Sequence, residues 1–507
     1  MIKAPFIDIL NVPIHFKGGL TLKLDYDLLL DKNIATPLYV QLYEKFKTLI
    51  EENQLENEKL PSIRSLAKKL EVNNVTIINA YKLLEQEGYV YSLKGSGTYI
   101  KKSPIVDDLP YIEEGDMELM VNGILPLSKD SINFASVSPT ADLFPIEEFK
   151  HALVEVLDRD KGQAFLYPEI TGYEPLRESI SKFLMENYNT KVDKSQILIT
   201  SGGQQGLDII SKTLIQQGDY IFVENPTYSG AIAAFKSRGA RIIGIPMEED
   251  GINIDLLKTY IKRYSPKFIY IMTNYQSPTT YSYSDEKKKE ILSLAKENDF
   301  FIIEDDFLTD LSFTAETKLP LKSIDKLDQV IFIKSFSKIF MPGVRIGFIT
   351  LPNRLFKEIV KAKHTTDISS SGFLQRAFDL YLRKGYWKSH IEKVKKVYSQ
   401  KYKIMTKELN KLNQYGITYL EPKGGLSLWL KLPKDVDALE LYNECTENNL
   451  SIVPGKIFFT DDSIYSNYIR LSFGAINNEQ IIDGIKILEN IFSKPFKDSE
   501  NKYLPFI

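Results

Sequence analysis

The sequence predicts an α/β protein in two parts, a small winged helix-turn-helix followed by a large body built on a mostly parallel sheet. Three observations carry this. From Pro37 to Ile100 apolar residues recur first at helical and then at alternating spacing; from Lys101 to Asp130 the chain turns acidic and is punctuated by Pro and Gly; beyond that, short apolar runs alternate with amphipathic segments of helix length. The implied divisions are an N-terminal extension over 1–36, the winged module over 37–100, a solvated linker over 101–130, the body over 131–496 and a tail over 497–507. A chain of 507 residues exceeds what one core usually supports, in keeping with that division.

In the first part, Leu60-Pro-Ser-Ile-Arg-Ser-Leu-Ala-Lys-Lys-Leu70 reads as one short helix with Ser62 as its cap. The turn Glu71-Val-Asn-Asn74 leads into a second helix from Val75 to Glu87, where Ile77, Tyr81 and Leu84 share a face, and Gly88 ends it. Tyr89 to Ile100 alternates around Gly-Ser-Gly, as a small hairpin does. In such a module the second helix enters the major groove, and Lys94, Gly95, Ser96, Gly97 and Thr98 could touch backbone or minor groove. The segment has eight basic and eight acidic residues, so DNA affinity requires the charges to be segregated by face. A structural or dimerising winged helix is the alternative.

In the body, Ile197–Thr200, Tyr220–Glu224, Phe268–Thr273, Phe301–Asp306 and Val330–Lys334 are the apolar runs expected of buried strands. Ligands of such open sheets sit at the carboxyl ends of the strands, and the chemically suggestive residues fall there. After the first run, Ser201-Gly-Gly-Gln-Gln-Gly206 opens a helix toward Gln217, so Gly202, Gly203 and Gln204 border an anion site. After the second, Tyr228 can stack on a flat ring. Asp305 lies at the end of the fourth, where a buried carboxylate needs a cationic partner. After the fifth come Ser335, Ser337 and Lys338, with Arg345 seven residues further on. A lysine at a strand's end can be desolvated until part of it is neutral and nucleophilic, and an arginine nearby suits a phosphate dianion. That combination points to pyridoxal 5'-phosphate (PLP), with Lys338 forming the imine, Asp305 meeting the ring nitrogen and Arg345 holding the phosphate.

Net charge of −3 and 43% hydrophobic residues describe an ordinary globular chain and suggest no partner by themselves. The single Cys445 excludes an intramolecular disulfide, and the four histidines lack ligand spacing, so no metal site is expected. The N-terminus lacks a cleavage pattern and no run reaches membrane-spanning length, which leads to an expectation of the cytoplasm.

From about Ile132 to Phe492 the chain resembles a fold-type I, aspartate-aminotransferase-like PLP domain. The resemblance is carried in order by Leu166-Tyr-Pro-Glu-Ile-Thr-Gly-Tyr-Glu-Pro-Leu-Arg177, Ser201-Gly-Gly-Gln-Gln205, Glu224-Asn-Pro-Thr-Tyr228, Glu304-Asp-Asp306, Ser335-Phe-Ser-Lys338 and Tyr468-Ile-Arg-Leu-Ser-Phe-Gly474. It implies that Arg470 binds a substrate or effector carboxylate, that Tyr167 reaches the cofactor phosphate of a partner subunit, and that the protein is a homodimer. The residues alone leave open an internal ion pair for Arg470. Two positions depart from the family pattern: Ser277 stands where an Asn precedes the Pro, and Phe307 where a Tyr follows the Asp pair. Both family residues donate to the ring oxygen beside the imine, so the resemblance implies slowed turnover, with Ser277 or Tyr275 as the available substitutes.

The first part is similar to the DNA-binding domain of GntR-type regulators at Pro37-Leu-Tyr39, Leu60-Pro-Ser-Ile-Arg-Ser-Leu-Ala67, Ala80-Tyr81, Leu84 to Gly88 and Gly95-Ser-Gly-Thr98. The similarity implies that Arg64, Thr76 and the wing contact double-stranded DNA, while Asn73 and Asn74 replace a common Ser-Arg pair. A GntR-like head on an aminotransferase-like body resembles the MocR group of bacterial regulators. That resemblance implies a PLP-binding transcription factor sensing PLP or an amino compound. Members recognising gamma-aminobutyrate carry Arg two residues past the stacking Tyr, where this chain has Gly230, so a different effector is implied. The alternatives are an active aminotransferase with an accessory N-terminal module, and a regulator answering to PLP alone.

Overall fold

The structure, a computed structural model, describes residues 30, 36–53, 59–86, 89–93, 97–100, 131–314, 318–460 and 467–494. The chain separates into two compact units, one ending at Tyr111 and one beginning at Ile112. The extension over 1–36 (apart from Leu30 and Thr36), the linker over 101–130 and the tail over 497–507 lie outside the described residues, as do Lys94, Gly95 and Ser96.

In the first unit α1 (Leu38–Asn53) precedes α2 (Ile63–Leu70) and α3 (Asn74–Gln86), and β1 (Val90–Leu93) pairs antiparallel with β2 (Gly97–Ile100). Ser62 caps α2 by accepting from the Ser65 amide at 3.2 Å, and Glu71 ends it in the left-handed region. Asn74, expected in the turn, is the first helical residue of α3. The physical reason is Asn73: its Oδ1 accepts the Val75 amide at 3.0 Å, so the turn closes one residue early. Leu42, Phe46, Leu66, Ile77, Ala80 and Leu84 form the core, which the helical spacing of Ile77, Tyr81 and Leu84 anticipates. Tyr81 adds a polar tether, its hydroxyl donating to the Pro61 carbonyl at 2.9 Å. The Leu60 amide donates to the Thr98 carbonyl at 2.8 Å and fastens the hairpin to the segment before α2.

The second unit opens with β3 (Ile132–Asn133) and continues through β4 (Ile197–Thr200), β5 (Tyr220–Asn225), β6 (Arg241–Glu248), β7 (Gly251–Ile252), β8 (Phe268–Ile271), β9 (Phe301–Asp306), β10 (Val330–Ser335) and β11 (Gly347–Thr350). β4 to β11 form one eight-stranded sheet in the order β4-β11-β10-β9-β8-β5-β6-β7. β10, β9, β8, β5 and β6 run parallel, while β11 is antiparallel to both β10 and β4. The expectation of a mostly parallel sheet therefore holds with β11 as an inserted reversal. The expected third run stops at Ile271 rather than Thr273, because the loop that follows turns away into the site.

Both faces are covered, as the unbroken apolar runs require. Phe332, Phe348 and Ile199 join one cluster, whereas Ile331, Ile333, Ile349 and Leu198 join another with Leu207 and Ile210 of the helix Gly203–Leu214. That helix was expected to reach Gln217; it stops at Leu214, where Ile215 is already extended. A smaller antiparallel sheet contains β12 (Thr418–Tyr419), β13 (Ser427–Lys431), β15 (Val453–Pro454) and β16 (Tyr468–Ser472), while β14 (Leu450–Ser451) pairs with β3. β16 brings Arg470 to the mouth of the large sheet, where its Nη2 donates to the Ala135 carbonyl at 2.6 Å.

Candidate functional site

Ten of the residues singled out in the sequence line one cleft at the carboxyl ends of the parallel strands: Gly203, Gln204, Tyr228, Ser277, Asp305, Ser335, Ser337, Lys338, Arg345 and Arg470. The topology explains the convergence. Successive parallel strands deliver their following loops to the same edge, and β11 folds back so that Lys338 and Arg345, at the two sides of one turn, stay together.

The anion end is built from backbone. Gly202 has φ +98, and a Cβ there would lie 2.8 Å from Arg345 Nη2, so only glycine lets the helix Gly203–Leu214 begin this close to the guanidinium. Gly202 itself is not among the residues that line the cleft. Arg345 Nη2 also donates to the Ser201 carbonyl, and the Ser201 amide is held by Gln205 Oε1 at 2.7 Å. Gln205 is in turn held by Asp367 Oδ2 at 2.8 Å. The result is a guanidinium beside a helix start, a phosphate-type arrangement.

Tyr228 begins the next helix, and its hydroxyl donates to Gln204 Oε1 at 3.2 Å. A Cβ on Gly230 would lie 2.5 Å from the Tyr228 ring, so no larger side chain fits at residue 230 while Tyr228 keeps this seat. Asp305 accepts from the Tyr270 hydroxyl at 2.8 Å, and burial pushes its carboxyl up to about 7, opposed by that hydrogen bond. Among the described residues no ion pair engages Asp305. Lys338 is brought down to about 8, first by burial and then by the charges of Arg470 and Arg345. All three causes act in one direction, so roughly a tenth of this amine is neutral at pH 7.

Arg470 is half-buried and, among the described residues, meets no carboxylate. Besides Ala135 it faces the Phe458 ring at 5.2 Å, and its Nε is buried with no hydrogen-bond partner. The internal ion pair left open by the sequence is therefore not formed. Burial lowers its pKa to about 10, so it remains a cation at neutral pH. Tyr167 does not join the cleft; it is 82% exposed.

Three features escaped the sequence reading. Val137, Leu308 and Leu426 add apolar walls to the cleft. Glu224, at the end of β5, accepts from the Met272 amide at 2.9 Å, Gln276 Nε2 at 3.0 Å and the Tyr283 hydroxyl at 2.8 Å, so it ties the Tyr228 loop to the Ser277 loop. Burial raises Glu224 to about 8. On the sheet's other side Lys334, fully buried, donates to Asp306 Oδ2 at 3.0 Å and Asp310 Oδ2 at 2.7 Å. A polar residue in an apolar run was the available signal for Glu224 and Lys334; their partners come from distant segments.

In the winged unit Arg64, Lys68 and Lys69 are exposed on α2, whereas Thr76 is half-buried in the first turn of α3. Val75, 56% exposed, shares the outward face of α3 with Asn79 and Lys82 at helical spacing. The sequence reading did not single out these three. Of the wing residues, Gly97 and Thr98 are described and lie on β2.

Comparison with known proteins matches residues 129–488 to aminotransferase class I and II and residues 38–100 to bacterial regulatory proteins of the gntR family. The chain belongs to the class I and II aminotransferase family. A GntR-type DNA-binding domain is fused in front of that aminotransferase-like domain. Aromatic-amino-acid aminotransferase 1 of Thermococcus litoralis is 31% identical over 78% of this chain and 97% of its own. The probable rhizopine catabolism regulatory protein MocR of Rhizobium meliloti is 25% identical but spans 92% of this chain and 96% of its own. A solved Pyrococcus horikoshii kynurenine aminotransferase, in complex with PMP, superposes with a TM-score of 0.71 at 29% identity, over 76% of this chain and 95% of that one. PLP is the cofactor of this family domain, and the cleft fits it: a buried carboxylate awaiting a cation, a partly neutral lysine, and a glycine cradle beside an arginine. Among the described residues no cluster could hold a metal ion, and no helix is long and apolar enough to cross a membrane.

Proposed function

We propose that this chain is a cytoplasmic, homodimeric transcriptional regulator whose winged unit binds operator DNA and whose PLP site senses an amino compound. The observation that carries the sensing role is Arg470: a cation with a buried, unpartnered Nε in the same cleft as Lys338. Leaving such a donor unpaired costs about 1–3 kcal/mol, which a ligand carboxylate would recover.

Bound PLP supplies an aldehyde that condenses with primary amines and an electron-withdrawing ring. Around it, Arg345 and the start of the helix Gly203–Leu214, with Gly203 and Gln204, would hold the phosphate, and Gly202 lets that helix begin close to Arg345. Ser335 and Ser337 flank that anion end. Tyr228 would cover the ring face, and Asp305 would hold a proton on the ring nitrogen. Lys338 would hold the cofactor through its amine, and Arg470 would bind the carboxylate of an amino compound. Tyr167, exposed on each subunit, would complete the phosphate site of its partner. Phe307 lines the cleft without a hydroxyl, and Ser277 is the short donor on that side, which favours binding over turnover. In the winged unit Arg64, Thr76, Gly97 and Thr98, with Lys94, Gly95 and Ser96, would meet DNA. A ligand bound more tightly in one state of the body than the other shifts DNA affinity by that difference.

A gel shift on the protein's own upstream DNA, with and without PLP and a panel of amino acids, tests the proposal. An amine-dependent change that disappears in Arg470→Ala is expected. Rapid multiple-turnover keto-acid formation with no effect on DNA would make the chain an aminotransferase instead.

A further inference from the structure

The charges of the cleft, once assigned, restrict what else can enter it; the inference rests on the sensing reading above and adds the ligand's chemical class. Among the described residues the lining contains three cations, Lys338, Arg345 and Arg470, and one anion, Asp305. Lys338 meets the aldehyde, Arg345 the phosphate and Arg470 the ligand carboxylate. No cation remains for a second carboxylate, and Asp305, held by the Tyr270 hydroxyl and directed to the ring nitrogen, is not free for a basic side chain.

Beside Arg470 the cleft wall includes the apolar Val137, Leu308 and Leu426, with the uncharged Ser427 next to Leu426. Val137 follows Ala135, whose carbonyl receives Arg470 Nη2 at 2.6 Å, by two residues. Leu426 leads directly into β13, which pairs with β16 at Trp429↔Arg470. Leu308 packs at the same place, its Cδ1 lying 3.8 Å from where a Cβ on Gly425 would stand. A side chain leaving the ligand's α-carbon on this side meets Val137, Leu308 and Leu426. Each buried methylene there contributes about 0.8 kcal/mol, whereas an unpaired charge against the same wall is strongly penalised.

We propose that the effector is an α-amino acid with a single carboxylate and an uncharged, apolar or aromatic side chain, and that Val137 and Leu308 set this selectivity. The test uses full-length PLP-loaded protein, titrated with L-leucine, L-methionine, L-phenylalanine, L-glutamate and L-lysine. The visible spectrum of the bound cofactor and the affinity for operator DNA are read together. At least one neutral amino acid is expected to bind about tenfold or more tightly than L-glutamate and L-lysine. In Val137→Arg and, independently, Leu308→Arg, the preference over L-glutamate is expected to shrink or invert. Equal or tighter binding of L-glutamate or L-lysine by the wild type would overturn the class. A preference unchanged in whichever arginine variant retains the cofactor spectrum would overturn the assignment of the wall. A silent response to the whole panel, with the cofactor still attached at Lys338, would instead remove the sensing reading on which the class depends.

Discussion

Replacing the Lys338 amine in cofactor-free protein is expected to stabilise it at neutral pH. Burial and the neighbouring arginines bring the amine from its ordinary 10.5 to about 8. Between those values the unfolded chain binds more protons than the folded one, so wild-type stability climbs as pH rises through the window and levels above it. At about 1.4 kcal/mol per pH unit, the full span is worth about 3 kcal/mol at pH 7. Lys338 is half-buried, so solvent screening makes that figure an upper bound. Lys338→Met retains much of the apolar stem and has no proton to lose. Matched urea titrations of the two apo-proteins at pH 7 and pH 10 measure the difference. The variant is expected to lead by up to about 3 kcal/mol at pH 7 and by less than about 1 kcal/mol at pH 10. Equal stability at both values, or a lead that grows with pH, would refute the reasoning.

Other outcomes follow from the same geometry. Borohydride reduction of PLP-loaded protein should label the peptide containing Lys338, and a label on any other lysine would displace it from the assigned role. Lys334→Met leaves Asp306 and Asp310 facing each other without their shared cation, so unfolding should become easier by about 3–5 kcal/mol; wild-type resistance to urea would contradict that. Arg64→Ala should weaken binding to related and unrelated duplexes alike and lower the salt slope by about one, measured by fluorescence anisotropy across a salt series.

Periodicity made the winged unit legible, because its core depends on local spacing: Ile77, Tyr81 and Leu84 are three and four residues apart and all buried. Strands β4, β5, β8, β9 and β10 were legible for a similar reason, being buried apolar runs. β6 was not singled out, since Gly244 and Pro246 interrupt its pattern and, of its eight residues, only Ile245 is buried. β11 is four residues long, and nothing in Gly347–Thr350 announces that it runs against its neighbours. In the cleft, residues that follow a strand could be placed by the rule that sites lie at strand ends. The walls at Val137, Leu308 and Leu426 arrive from other segments and look like ordinary core residues in the sequence. Arg470 illustrates the limit best: its type and strand announced a charge needing company, while the structure supplies a carbonyl and a ring instead of a carboxylate.

The hydrogen bond from Arg470 to Ala135 joins residues 335 positions apart. A chain emerging from the ribosome therefore has Lys338, Asp305 and Arg345 outside the tunnel well before the segment that supplies Arg470. The strand ends that carry Asp305, Lys338 and Arg345 can come together first, whereas Arg470 reaches the cleft only when β16 docks. If Lys338 and Arg470 hold the roles proposed above, truncation after β13 is expected to yield nascent chains able to take up PLP without the amino-acid response.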